Sequence, residues 1–200
     1  GKIAKQVYYL GDVRSYRTKV QWNQDPAGFN SGDGSFSGPC EILATPVFCD
    51  GRVYVATGRD PEHGLGRASL HCIDAGGNGD ISESGRVWCY EGLGRTLASV
   101  AVDDGLVYAA DLNGRLHCLD AATGTVYWVF ETHHECWSGP LVADGKVYLN
   151  TTQSFWILAA GKTNQLLFTQ PGGSETPPIA ANGVVYVFIR GRLYALRIEK

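Results

Sequence analysis

The sequence predicts an all-β chain folded as a β-propeller of four-stranded antiparallel blades, and three observations predict it. One hairpin recurs four times: Asp50-Gly51-Arg52-Val53-Tyr54, Asp104-Gly105-Leu106-Val107-Tyr108, Asp144-Gly145-Lys146-Val147-Tyr148 and Asn182-Gly183-Val184-Val185-Tyr186. The four glycines are spaced by 54, 40 and 38 residues, close to the roughly 40 residues of one four-stranded blade. Between the hairpins, short runs of Val, Tyr, Leu and Trp alternate with polar residues and end in Asp-Gly turns. No stretch carries a helical period.

Taken in order, residues 1–40 supply a leading strand, at 5–10 or 19–22, and a long loop at 23–40 containing Asp25-Pro26 and Gly38-Pro39. Residues 41–97 form a blade lengthened by two Gly-rich polar insertions, 59–67 and 76–84, which belong on loops at a blade rim. Residues 98–136 are the best-formed blade, with strands expected at 98–102, 106–110, 115–119 and 125–130. A third blade spans 137–175. The last, 176–200, stops after its third strand at 192–196, so an outer strand is missing there while a surplus strand stands at the other end. Pairing the two ends closes four blades and removes exposed sheet edges. The same arithmetic suits a fragment of a seven- or eight-bladed ring, which is the expectation adopted, or a subunit that completes its ring with a second chain. A start at Gly1 and the lack of any methionine fit a processed product or fragment.

Composition removes several function classes. A net charge of −3 with 17 scattered basic residues is not the concentrated basic stripe of a nucleic-acid surface. No apolar run reaches the roughly 20 residues of a membrane helix. The six cysteines, Cys40, Cys49, Cys72, Cys89, Cys118 and Cys136, make no CxxC pair, so a thiolate metal site is not expected. Cys72 and Cys118 occupy one slot in successive repeats, as do His71 and His117, which points to shared structural roles.

The run from Leu116 to Trp128 resembles the tryptophan-docking repeat of quinoprotein propellers, Ala-x-Asp-x-x-Thr-Gly-x-x-x-Trp, with Cys118 in the alanine slot followed by Asp120, Thr123, Gly124 and Trp128. A second copy keeps Cys72, Asp74, Gly85 and Trp88 around the insertion, and a third is reduced to Ala159-Ala160-Gly161 and Phe168. In that motif Asp and Thr close the turn, Gly takes an unusual backbone angle and Trp packs between blades. Residues 40–196 as a whole are similar to bacterial PQQ-binding-like β-propeller repeat proteins of the planctomycete type. The resemblance implies a periplasmic or secreted bacterial propeller whose repeat residues Gly51, Tyr54, Asp74, Trp88, Gly105, Tyr108, Asp120, Thr123, Gly124, Trp128, Gly145, Tyr148, Gly183 and Tyr186 are structural.

Three clusters are candidates for chemistry. His133-His134-Glu135-Cys136 is the densest group of potential transition-metal ligands, although neighbours on a strand point to opposite faces. Asp74, Asn78 and Asp80 partly match a calcium loop around Gly79, without the bidentate glutamate such a loop needs. Asp60-Pro61-Glu62-His63 places carboxylates beside an imidazole and reads equally as a Pro-initiated turn. Quinoprotein dehydrogenases pair two adjacent cysteines beneath the quinone and hold calcium on acidic and amide side chains; this chain has no adjacent cysteines, and no residue matches those ligands. The expectation is therefore a non-catalytic binding or scaffold module with a protein partner or a second propeller chain. The alternative is a PQQ- and calcium-dependent oxidoreductase whose active site lies partly on blades outside this sequence.

Overall fold

The computed structural model describes residues 6–7, 41–60 and 68–197. The chain divides into two compact units, 1–97 and 98–200. Every regular element among the described residues is a strand, and the all-β expectation holds. The expected long loop at 23–40, the alternative strand at 19–22, Cys40 and residues 61–67 with Glu62 and His63 lie outside the described residues.

In the first unit, β2 (Val47–Cys49), β3 (Arg52–Thr57), β4 (Ser69–Asp74) and β6 (Arg86–Tyr90) form one antiparallel sheet. Of the leading segment, β1 (Gln6–Val7) pairs in parallel with β5 (Gly79–Asp80), inside the second insertion. Of the strand expected at 5–10, Gln6 and Val7 are the described part. Val55, Ile73 and Ile81 form one buried cluster in this unit, and Leu70 and Cys72 of β4 are also fully buried.

The second unit holds three sheets. β7 (Ala101–Asp103), β8 (Leu106–Ala110), β9 (Arg115–Asp120) and β10 (Val126–Glu131) form the first; β11 (Leu141–Ala143), β12 (Lys146–Asn150), β13 (Ser154–Ala159) and β14 (Leu166–Pro171) the second. β15 (Ile179–Ala181), β16 (Val184–Ile189) and β17 (Arg192–Arg197) form the last, which has three strands among the described residues. Strand β7 begins at 101 rather than at the expected 98, and the Ser99 backbone just before it lies against Gly139. Strand β10 begins one residue late because Thr125 still belongs to the turn, its N–H donating to Thr123 Oγ1 at 3.2 Å.

The four recurrent hairpins are local chemistry repeated. Asp50, Asp104, Asp144 and Asn182 have φ of 48, 45, 51 and 53°, and the glycine after each has φ between 65 and 75°. Two successive left-handed residues make the turn whose twist matches antiparallel strands, which is why Asp or Asn precedes Gly at each tip. Strands β8 and β9 then bury nearly every residue, and Leu106, Tyr108, Leu116, Cys118 and Trp128 pack with Val147, Leu149 and Leu158 of the following sheet. Tyr148 and Phe155 pack in turn with Val185, Val187 and Ile189.

Candidate functional site

Six residues after three of the four hairpin glycines the chain places a fully buried polar side chain at the end of the strand that follows: Thr57, Asp111 and Thr151. Each faces the first residue of the next strand, in the register Thr57↔Ser69, with Asp111 N–H donating to Arg115 O and Thr151 N–H to Ser154 O, both at 2.9 Å. In the 98–136 repeat this position becomes a buried ionic cluster. Asp111 Oδ2 accepts from Arg115 Nε at 3.1 Å and Nη2 at 2.9 Å, and from His117 Nε2 at 3.0 Å. Its Oδ1 accepts the N–H groups of Asn113 and Arg115, at 2.9 and 3.1 Å. A carboxylate only accepts, so His117 carries its proton on Nε2.

The first unit builds a neutral version of the same cluster. Thr57 Oγ1 lies 3.0 Å from Ser69 Oγ, which lies 2.8 Å from His71 Nε2, and Cys89 Sγ stands 4.0 Å from that nitrogen. Burial pushes the His71 imidazole down to about 4, and the Arg86 charge acts the same way. Burial raises the Cys89 thiol, and the Glu91 charge adds to it. The pair is thus a thiol beside a neutral imidazole at neutral pH, without the thiolate that a nucleophile needs. An unfolded imidazole holds its proton up to about pH 6.5. Between 6.5 and 4 the unfolded chain binds a proton that the folded one refuses, so the stability attached to neutral His71 is complete above 6.5 and lost as pH falls toward 4. Comparing urea midpoints at pH 7 and 4.5 should show a loss to which His71 contributes up to about 2–3 kcal/mol; His71→Gln should shrink the difference, and an unchanged difference would remove His71 as its source.

The turn motif works as its residues suggested. Asp120 Oδ1 accepts from Ala122 N and Thr123 N at 2.9 Å, and Tyr127 Oη donates to Oδ2 at 2.8 Å. Those bonds, Tyr127's first, hold the Asp120 carboxyl below the usual range. Gly124 follows with φ of 74°. Trp128 then reaches the next blade: its Nε1 donates to Gly161 O at 2.9 Å, and Gly161 N donates to Tyr108 Oη at 2.8 Å. One peptide segment is clamped through both its N–H and its C=O by two aromatic side chains whose rings lie 5.9 Å apart and 48° tilted. Tyr54 and Trp88 repeat that ring geometry in the first unit, at 6.0 Å and 52°.

The candidate ligand residues are placed as follows. Among the described residues no group of three or more His, Cys, Asp or Glu side chains is placed to hold a metal ion. Asp74 Oδ1 accepts from Gly76 N at 2.8 Å, Asp80 Oδ1 accepts from Ser82 N at 3.0 Å, and Asn78 is exposed between them. Each carboxylate closes its own turn. His133 is exposed with φ of 60°, and His134 lies in the same connection after β10, where Thr132 Oγ1 can donate to Gly114 O at 2.8 Å or His134 O at 2.9 Å. Asp60 N–H donates to Glu41 Oε2 at 3.0 Å. Cys72, Cys118 and Cys136 are buried thiols outside any disulfide, and burial raises all three. Sequence reasoning paired His71 with His117 but missed Asp111 and Arg115; the signal was a polar residue at the sixth position after three of the hairpin glycines.

Residues 66–200 match the family described as "Outer membrane protein assembly factor BamB", more than half of the chain. The chain belongs to this family. BamB of Nitrosomonas eutropha is 36% identical over 87 residues, 42% of this chain and 21% of that protein. The BamB structure from Moraxella catarrhalis superposes with a TM-score of 0.61 at 17% identity, covering 78% of this chain and 46% of that one. The computationally designed Ika4 protein superposes at 0.62 with 14% identity, covering 80% and 92%. These likenesses make the antiparallel sheets propeller blades. The chain spans about a fifth of the Nitrosomonas BamB and just under half of the Moraxella BamB chain.

Proposed function

We propose that this BamB-family chain is a non-catalytic binding and scaffold module that works outside the cytoplasm and associates with protein along strand β17 of the β15-β16-β17 sheet. The observation that carries this reading is strand β17. In the preceding sheets the third strand is covered by an outer one, β6, β10 or β14. β17 has β16 on one side, and on the other no strand among the described residues. Its Leu193 is 65% exposed, and Ile179 on β15 of the same sheet is 58% exposed. An open edge with apolar side chains is a template for one more strand.

The polar clusters fit the same reading, because Asp111, Arg115 and His117 bind one another inside a blade. No helix among the described residues is long and apolar enough to cross a membrane. The relatives' name, an outer membrane protein assembly factor, agrees with a partner-binding role outside the cytoplasm.

Light scattering on the purified chain should give a mass above the 21.6 kDa of one copy, and Leu193→Lys with Tyr194→Lys should return it to the monomer. A monodisperse wild-type monomer with full β signal would overturn the edge as the association surface. A dye-linked redox assay with added quinone and calcium should show no substrate-dependent turnover; turnover would overturn the non-catalytic reading.

A further inference from the structure

The tryptophan clamp between the 98–136 and 137–175 blades has a counterpart one blade later in which the tryptophan is missing. Trp128 pairs with Cys118 across β9 and β10, and the equivalent pair across β13 and β14 is Phe168 with Ile157. Trp128 is buried, whereas Phe168 is 48% exposed. Between this blade and the last lies a cavity of about 450 Å³ lined by Tyr148, Ile157, Ala180, Val185, Leu196 and Arg197, among others. Register places these positions one repeat after Tyr108, Cys118, Val142, Val147, Leu158 and Ala159. The first five of those pack with Trp128 in one core cluster. The cavity is therefore the docking slot of an indole, built by its surroundings and left without its own tryptophan.

We infer that this slot is a ligand site for a free planar aromatic carboxylate of about the size of an indole acid. Shape comes from the walls: Tyr148, Ile157, Val185 and Leu196 repeat those that enclose the Trp128 ring, and 450 Å³ lies within the roughly 300–1,000 Å³ range of small-molecule pockets. Charge comes from the rim. Lys146 and Asp144 both border the cavity and bind each other, Lys146 Nζ donating to Asp144 Oδ2 at 2.9 Å and to Asp144 O at 3.0 Å, so their charges offset. Arg197, where the preceding slot has Ala159, adds a cation and thus favours an acid over a neutral ring.

The probes are 5-fluoroindole-3-acetate and neutral 5-fluoroindole, each titrated with the chain and read by fluorine NMR. Both should shift saturably, the acid binding about tenfold tighter, a difference of the size one charge-assisted contact supplies. Arg197→Gln should erase that advantage and leave the neutral probe within about twofold. Phe168→Trp restores the missing indole and should abolish binding of both probes while raising the melting temperature. Ala180→Phe fills the slot from its other wall and should also abolish binding, which keeps the test open if one variant misfolds. Absence of a saturable shift, binding that survives both filling variants, or tighter binding of an acetyl-Gly-Trp-Gly-amide peptide than of the acid would overturn the assignment.

Discussion

Trp128→Ala should cost about 3–5 kcal/mol of stability, the range for removing a buried tryptophan. The loss has two parts. The indole fills the space among Leu106, Tyr108, Cys118, Val147 and Leu158, and a cavity left there loses transfer energy and contacts together. Its Nε1 is also a donor to Gly161 O, so truncation weakens the grip of one blade on the next as well as the core of a blade. Trp128→Phe refills most of the volume without the donor and should cost about half as much, which separates packing from the hydrogen bond. The measurement is the urea midpoint, with the slope of the transition checked for constancy. A Trp128→Ala midpoint within about 0.5 kcal/mol of wild type would show that the clamp carries no stability.

Asp111→Ala should destabilise by a similar about 3–5 kcal/mol for a different reason. The carboxylate is fully buried and holds His117, itself 1% exposed, the Arg115 guanidinium and two backbone N–H groups. Removing one member of a buried charged cluster costs more than the cluster contributes, because the others lose their partner inside the protein. The side chain of Arg115 is 28% exposed and can turn toward water; His117 cannot. The first unit shows how the site can be built without charge, with Thr57, Ser69 and His71 at the three equivalent positions. The double variant Asp111→Thr with Arg115→Ser should therefore recover much of what Asp111→Thr alone loses, a coupling of about 1–3 kcal/mol in a double-mutant cycle. Strict additivity of the two substitutions would show that the cluster is not a unit.

Most of the fold was legible because its determinants are local. Asp-Gly and Asn-Gly at the hairpin tips and period-2 alternation act within a few residues of themselves, and the four turns and the strands after them sit where those signals stand. Register followed from the turns, since a two-residue hairpin leaves one way to align its strands. Elements whose bounds depend on a neighbour were less legible. β7 starts three residues late, with the Ser99 backbone before it set against Gly139, and Gln6 and Val7 pair with a strand of the second insertion.

Candidate sites were less legible still. Asp74 and Asp80 have the composition of ligands, and only the structure shows that each also accepts an N–H of its own turn. Asp111 belongs to none of the sequence motifs, and only the approach of β8 to β9 sets its carboxylate against His117, six residues away. The sequence by itself determined that the chain is all-β, that its repeats are antiparallel blades, and that Trp128 ends one of them, because turn preference and alternation are properties of short segments. Tertiary structure alone decided what those segments meet: Trp128 closes on Gly161, and Asp111 closes on Arg115 and His117. Burial and pairing across blades depend on partners far along the chain, and no local pattern encodes whether a partner is there.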